Sequence, residues 1–315
     1  MCAPTFSFAI CTYNGEKTLS LAVDAILRLK ENERLLRELL LIDNASKDGT
    51  KDICRAYEKK DRRVKYLYEA EAGLSNARRC AAQNVTGEWI IYIDDDNVLD
   101  ENWLVELEDC LKTAPDSVGI LNGAVIATEA EPLTEDEKMR LSILYPHLAC
   151  THLGNTDAPV CRPAFPFGAG MCIKTVALQT ILNDGWLTLS GRKGNSLASG
   201  EDTELASKCL ALGYTYLYNE KMHMLHLIPK ARLSRDYINR LTRGLTEGWY
   251  VHVSSKKHYV RERFLRAVKY TGVFVAASFK KHSKNPRKKE IALQNIVRSK
   301  VFLKCVWKDK LLKRN

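Results

Sequence analysis

Several familiar signatures are missing from this 315-residue chain. There is no GxxxxGK[ST] phosphate loop and no GxGxxG turn following a strand, which argues against a P-loop nucleotidase and against a conventional dinucleotide enzyme. The ten cysteines form no CxxC pair, and several sit inside apolar runs. They read as reduced core thiols in a reducing compartment and not as a disulfide frame or a zinc site. The opening MCAPTFSFAICTYNG has no basic n-region and only a short apolar run, so a secretory signal is not expected. No uncharged stretch reaches the roughly 18 residues of a membrane-spanning helix. Glycine (17) and proline (9) are sparse, and neither an internal repeat nor a low-complexity tract interrupts a composition that is 45% hydrophobic. What remains is a globular chain with room for a large core.

Its charge is uneven. The formal +10 divides into 23 Lys/Arg against 32 Asp/Glu in residues 1–219, a net of −9, and 25 against 6 in residues 220–315, a net of +19. An acidic body is joined to a basic tail.

Along the body, short apolar runs alternate with segments of helical period. FSFAIC (6–11), ELLLID (38–43), VKYLY (64–68) and WIIYID (89–94) are followed by helical stretches at 16–29, 48–60, 74–84 and 100–112. The strands are continuously apolar, which suits a parallel sheet covered on both faces. The βαβα order implies a doubly wound α/β domain with its site at the carboxyl ends of the strands. Polar clusters fall at those ends: TYNG (12–15), DNASKDGT (43–50) and DDDN (94–97). GAGMCIK (168–174) predicts a further core strand, and EDTELASKCLAL (201–212) a helix with Leu205, Cys209 and Leu212 on its inner face. Residues 127–166 break the rhythm and read as an insertion over the sheet edge, part lid and part acceptor wall.

Asp94, Asp95 and Asp96 are the sharpest feature. Adjacent carboxylates repel, so a fold keeps them together only where positive partners or full solvation offset that cost. A solvated turn with a helix cap is the plain alternative. Placed at the ligand edge of a sheet, however, the triplet fits a platform for Mg²⁺ or Mn²⁺ and a diphosphate, since hard cations bind through one or two carboxylates plus phosphate oxygens.

The ordered runs TYNG, DNASKDGT, GLSNARRCAAQNVTGEWIIYIDDDN and GEDTEL, within residues 5–230, resemble the inverting family 2 glycosyltransferases of the GT-A fold. That resemblance implies an α/β GT-A catalytic domain at 1–230 followed by a basic helical region at 231–315. It implies a nucleotide contact at Thr12, Tyr13 and Asn14, a uracil contact at Asp43, and a diphosphate contact at Arg78, with Arg79 able to take the same role. It places Asp94, Asp95 and Asp96 on a DxD motif, Asp95 toward the ribose and Asp96 with Asp94 toward the divalent metal (Mn²⁺ or Mg²⁺). It gives Asp202, beside Glu201, the role of base that takes the acceptor proton; simple helix capping is the alternative for that pair. His226 is a further metal or diphosphate contact or else a structural histidine, with His223 a weaker rival. The segment ARRCAAQN departs from the family, carrying alanine and cysteine where glycines are usual.

The implied reaction moves a sugar from a nucleotide diphosphate-sugar, UDP-linked, to a glycan or lipid-linked hydroxyl in surface polysaccharide assembly. Rival readings are a nucleotidyltransferase and a catalytically inactive nucleotide-sugar-binding subunit. In the tail, Val260, Phe264, Val268, Thr271 and Val275 fall near one helical face with Arg261, Arg266 and Lys269 off it, a pattern that reads as an anionic membrane surface element. A helix packed on the catalytic core, with its basic side solvated, is the alternative. No motif supports nucleic acid, and the expected location is cytoplasmic, peripheral at the inner face of the membrane.

Overall fold

A computed structural model describes residues 4–153, 166–189, 191–192, 197, 199–254 and 259–312, with side chains at 252–254, 259–264 and 308–312 left aside. The chain divides into two compact units. One comprises residues 1–128, 148–190 and 201–228; the other comprises 129–147, 191–200 and 229–315.

The first unit is built on β1 (Phe6–Thr12), α1 (Leu19–Leu27), α2 (Asn32–Leu35), β2 (Leu36–Asp43), α3 (Thr50–Lys60), β3 (Val64–Tyr68), α4 (Leu74–Asn84), β4 (Trp89–Ile93), β5 (Asn97–Leu99) and α5 (Trp103–Thr113). After β6 (Val118–Glu129), α6 (Glu135–Leu144) belongs to the second unit. The chain then returns through β7 (His152–Leu153), β8 (Met171–Lys174), α7 (Thr175–Asp184), α8 (Glu201–Ala211) and β9 (Thr215–Ile228). The strands form one sheet in the order β3-β2-β1-β4-β8-β6-β9-β5, with β7 beside β6.

The four strands expected from the apolar runs are all present, and β1 lies parallel to both β2 and β4, with β3 parallel to β2. Phe6, Phe8, Ile10, Leu39–Ile42, Ile90 and Ile91 are fully buried, as continuous apolar strands between two helical layers must be. The alanines that depart from the family in α4 have a packing reason: Ala77, Ala81 and Ala82 are sealed in the cluster that joins the sheet to α7 and α8.

Two expectations need correction. The sheet is mixed, because β8 runs antiparallel to β4 and to β6, and antiparallel neighbours need no crossover helix. Leu212 lies beyond the end of α8 and is 40% exposed, whereas Leu205 and Cys209 are buried as expected. Of the insertion at 127–166, residues 129–147 belong to the second unit, 148–153 to the first, and 154–165 lie outside the described residues.

The second unit adds α9 (Arg235–Ser254), α10 (Tyr259–Lys280) and α11 (Pro286–Leu312) to α6. Its core is aromatic: Phe302 stacks on Tyr270 at 4.2 Å and meets Tyr250 edge-on at 5.5 Å, while the Arg266 guanidinium lies 4.9 Å over the Trp249 ring. Glu290 is buried, facing Arg235 at 3.5 Å and Arg140 at 3.9 Å. No helix among the described residues is long and apolar enough to cross a membrane.

Candidate active site

Three turns at the carboxyl ends of β1, β2 and β4 are latched to one another. Asn14 takes a left-handed φ of 55°, which its short polar side chain tolerates where most residues do not, and Ala45 takes one of 60°. The Asn14 amide donates to Ser46 Oγ at 2.9 Å, and its side-chain oxygen accepts from the Lys47 amide at 2.9 Å. Asn44 accepts from the Gly73 amide at 2.8 Å, at the start of α4. Gly73 has φ 141°, a conformation that favours glycine.

Asp43 is buried at the end of β2, where Oδ1 accepts from the Ser46 amide at 2.9 Å and Oδ2 from the Tyr66 hydroxyl at 3.2 Å. Burial, with Asp43 close by, pushes Tyr66 up to about 12, so the phenol stays a donor. No motif marks Tyr66; parallel register, which sets Leu41 opposite it, brings it there.

The acidic triplet avoids self-repulsion by sending its members to three different partners. Asp95 accepts from Thr12 Oγ1, and a side chain at Gly15 would collide with both groups. Asp94 is within electrostatic reach of the Arg78 guanidinium. Asp96 Oδ2 stands 3.4 Å from His226 Nε2. Asn97, fully buried, braces the turn by accepting from the Asp94 amide at 3.2 Å and donating to Asp96 Oδ1 at 3.4 Å.

His226 arrives by strand register. β9 pairs antiparallel with β5, matching Asn97 to His226, and Met222, Met224, His226 and Ile228 are buried. His223 belongs to the other set and is exposed, so the period of a strand separates the two histidines. Cys150 Sγ lies 3.5 Å from His226 Nδ1, on the side away from Asp96, and also donates to the Leu148 carbonyl at 3.4 Å. Burial disfavours the imidazolium, but the Asp96 carboxylate and Cys150 outweigh it and hold His226 up at about 10.

The second acidic pair sits at the first turn of α8. Glu201 is buried, with Oε1 3.3 Å from Arg78 Nη1. Asp202, partly exposed, accepts from the Gly168 amide at 3.2 Å and the Thr203 amide at 2.7 Å. Arg78 is the hinge of the arrangement. Burial opposes its charge, yet Glu201, Asp202 and Asp94 together raise its pKa further. One guanidinium therefore feels the charge of Asp94 after β4 and of both acids on α8, and it contacts Glu201 directly. A side chain at Gly168 would occupy the space of that guanidinium, which gives the GAG segment a steric purpose. Arg78 is thus held by acids of the chain itself, while Arg79 pairs with Glu71 at 3.3 Å in a more open place. Tyr13 is 45% exposed beside these turns.

Asp96 with His226, once a bound cation displaces the imidazolium proton, is an oxygen and nitrogen donor set suited to Mn²⁺. Among the described residues no cluster of three or more His, Cys, Asp or Glu side chains forms a complete cage. A cation held here would complete its shell with phosphate oxygens and water, as Mg²⁺ and Mn²⁺ do on nucleotides.

Comparison with known proteins agrees with this architecture. Residues 7–167 match the model of glycosyl transferase family 2. The minor teichoic acid biosynthesis protein GgaA of Bacillus subtilis is 29% identical over 107 residues, covering 33% of this chain and 24% of that protein. Matches to the curated relatives span only 13% to 36% of those proteins' own lengths. Among solved structures, mannosyltransferase PcManGT of Pyrobaculum calidifontis, in complex with GDP-Man and Mn²⁺, aligns with a TM-score of 0.61 at 15% identity, over 95% of this chain and 87% of that one. TarS 1–349 of S. aureus in complex with UDP-GlcNAc aligns at 0.53 and 11% identity, over 97% and 92%. The matched family model places the chain in glycosyl transferase family 2, and the shared folds give it the GT-A architecture.

Proposed function

We propose that this chain transfers a sugar from a nucleotide diphosphate-sugar, UDP-linked, to a hydroxyl of a glycan or lipid-linked acceptor, with inversion, in assembly of a surface polysaccharide. The observation that carries the reading is the buried Arg78 guanidinium, paired with Glu201 at 3.3 Å and within electrostatic reach of both Asp94 of the DxD segment and Asp202. Thr12, Tyr13, Asn14 and Asp43 are the nucleoside contacts, and Asp95 lies on the ribose side. Asp96 and His226, with Asp94 beside them, would hold a divalent cation, which when bound neutralises charge on the departing diphosphate.

In the transfer the acceptor oxygen forms a bond to the anomeric carbon on the face opposite the nucleotide. The bond from that carbon to the diphosphate oxygen breaks, and its electron pair leaves with the nucleoside diphosphate. Asp202 takes the acceptor proton. Its two bonds from backbone amides fix the carboxylate. Arg78 is the diphosphate contact, and Glu201, beside Asp202 and paired with Arg78 at 3.3 Å, positions it. The polysaccharide assignment is supported by the teichoic acid relative, and a lipid-linked acceptor implies work at the inner face of a membrane.

A thermal-shift panel tests the donor. Full-length protein is heated with UDP, GDP and their sugars, with and without Mn²⁺. A nucleotide at 100-fold over its Kd adds about 2.7 kcal/mol. Stabilisation by UDP and a UDP-sugar only with Mn²⁺, lost in Asp96→Ala, is the expected result. A response to GDP instead reassigns the base, and indifference to every nucleotide defeats the proposal.

A further inference from the structure

α10 carries two apolar faces, and only one is covered. Tyr270 stacks on Phe302, and the Phe274 ring lies 6.0 Å from Lys300 Nζ, so α10 runs antiparallel to α11 and spends one face on the bundle. Ala277 is buried on that side. The other face bears Leu265, Val268, Gly272, Val275 and Phe279, at alternating spacings of three and four residues. Its large members are 58%, 57%, 50% and 78% exposed. Such a ridge is costly to leave in water, and a row of apolar residues on one exposed face marks an interaction surface.

The charge at its end says what covers it. Lys280, Lys281, Lys284, Arg287, Lys288 and Lys289 follow within one turn and the start of α11, and all six are exposed. No Asp or Glu occurs between 263 and 289, and none of the six has an acidic partner among the described residues. Glu290, the next acid, is buried against Arg140 and Arg235.

We infer that the exposed face of α10, with the basic corner from Lys280 to Lys289, docks on an anionic lipid bilayer, the ridge entering the headgroup boundary and the corner facing lipid phosphates. This names the surface that the membrane placement above requires, and it stands independently of the sugar-transfer chemistry. The structure revises the face read from sequence. Val268, Thr271 and Val275 are exposed, but the ridge extends through Leu265 and Phe279, Lys269 is exposed beside it, and Arg266 packs on Trp249. The side chains of Val260, Arg261 and Phe264 lie outside the described residues. A second copy of the chain is a poorer occupant. It would bring two surfaces of net +19 (residues 220–315) together, over a seam shorter than the three to four heptads a coiled coil needs.

The test is co-sedimentation of the full-length protein with vesicles of phosphatidylcholine alone or mixed with phosphatidylglycerol, alongside Val275→Glu/Phe279→Glu and Lys280→Ala/Lys281→Ala variants. The wild type binds the mixed vesicles and not the neutral ones. Val275→Glu/Phe279→Glu weakens binding more than about tenfold, and each lysine removed weakens it about fivefold, the equivalent of about 1 kcal/mol per cation. Melting temperature and nucleotide-induced stabilisation stay at wild-type values in both variants, which separates this inference from the donor reading. The inference is overturned if the wild type ignores anionic vesicles or if Val275→Glu/Phe279→Glu binds as well as wild type, leaving a polyanion site alone. It is equally overturned if the wild type is a dimer that this variant splits.

Discussion

The two units treat charge and apolar surface in opposite ways. In the first, Asp43, Arg78, Asp96, Glu201 and His226 are buried beside a sheet whose apolar strands are fully covered. In the second, six cations stand exposed with no acidic partner among the described residues and a row of apolar side chains on α10 is bare. Buried charge is retained only where partners offset its desolvation, and it marks the place where a charged ligand is handled. Bare apolar surface beside unpaired charge marks a place where something large is met. One unit is organised inward around chemistry and the other outward around a surface.

The sharpest break of this contrast is kinetic. Asp202→Asn should lower the transfer rate by roughly 10²- to 10⁴-fold, the usual share of a general base, while Mn²⁺-dependent nucleotide binding measured by calorimetry is kept. Loss of binding along with rate would mean that Asp202 belongs to the donor site instead. Arg78→Met probes the same cluster by stability. Removing one partner of a buried pair costs about 3–5 kcal/mol, read from denaturant unfolding, and the double variant with Glu201→Gln should recover part of that loss. Full additivity would argue that the two side chains do not interact.

The second unit has its own buried titratable group. Burial, with Arg298 donating to His147 Nε2 at 3.2 Å, pushes His147 down to about 4 from 6.5. Because the unfolded chain takes up this proton first, stability falls as pH drops from 6.5 toward 4 and levels off below. The loss is at most about 3 kcal/mol. Melting curves across that window should flatten in His147→Gln, which keeps an acceptor but does not titrate; an unchanged slope would contradict the assignment. The smallest effect belongs to Glu108, which Arg34 grips with two bonds of 2.7 and 2.9 Å and holds down at about 2. Its contribution is present above the usual carboxylate range and fades as pH falls from about 4.5 toward 2. Since Arg34 remains half-exposed, Glu108→Gln should cost no more than about 1 kcal/mol at neutral pH.

Much of the first unit was legible in the sequence because its signals are local. Continuous apolar runs give β1 to β4, and the polar turns at their ends give Asn14, Asp43 and Asp94–Asp96. What escaped depends on pairing across the sheet. The antiparallel entry of β8, the long strand β9 and the hydroxyl of Tyr66 follow from register, which no short window contains. The alternation of Met222, Met224, His226 and Ile228 was a readable signal, and it would have chosen His226 over His223. Cys150 looked like any core thiol, and only its approach to His226 distinguishes it. In the second unit the exposed face of α10 was partly legible from period. Its true centre was not, because the sequence does not say which apolar stripe α9 and α11 consume.

The central claim is that the acids after β4 and the pair on α8 serve one site from opposite sides of a donor. Anomalous X-ray scattering from crystals grown with Mn²⁺ and UDP tests it directly. The account predicts a manganese peak within bonding distance of Asp96 and of the nucleotide's phosphate oxygens, with the Asp202 carboxylate facing the same nucleotide. A manganese ion bound elsewhere, or a nucleotide that Asp202 does not face, would contradict it.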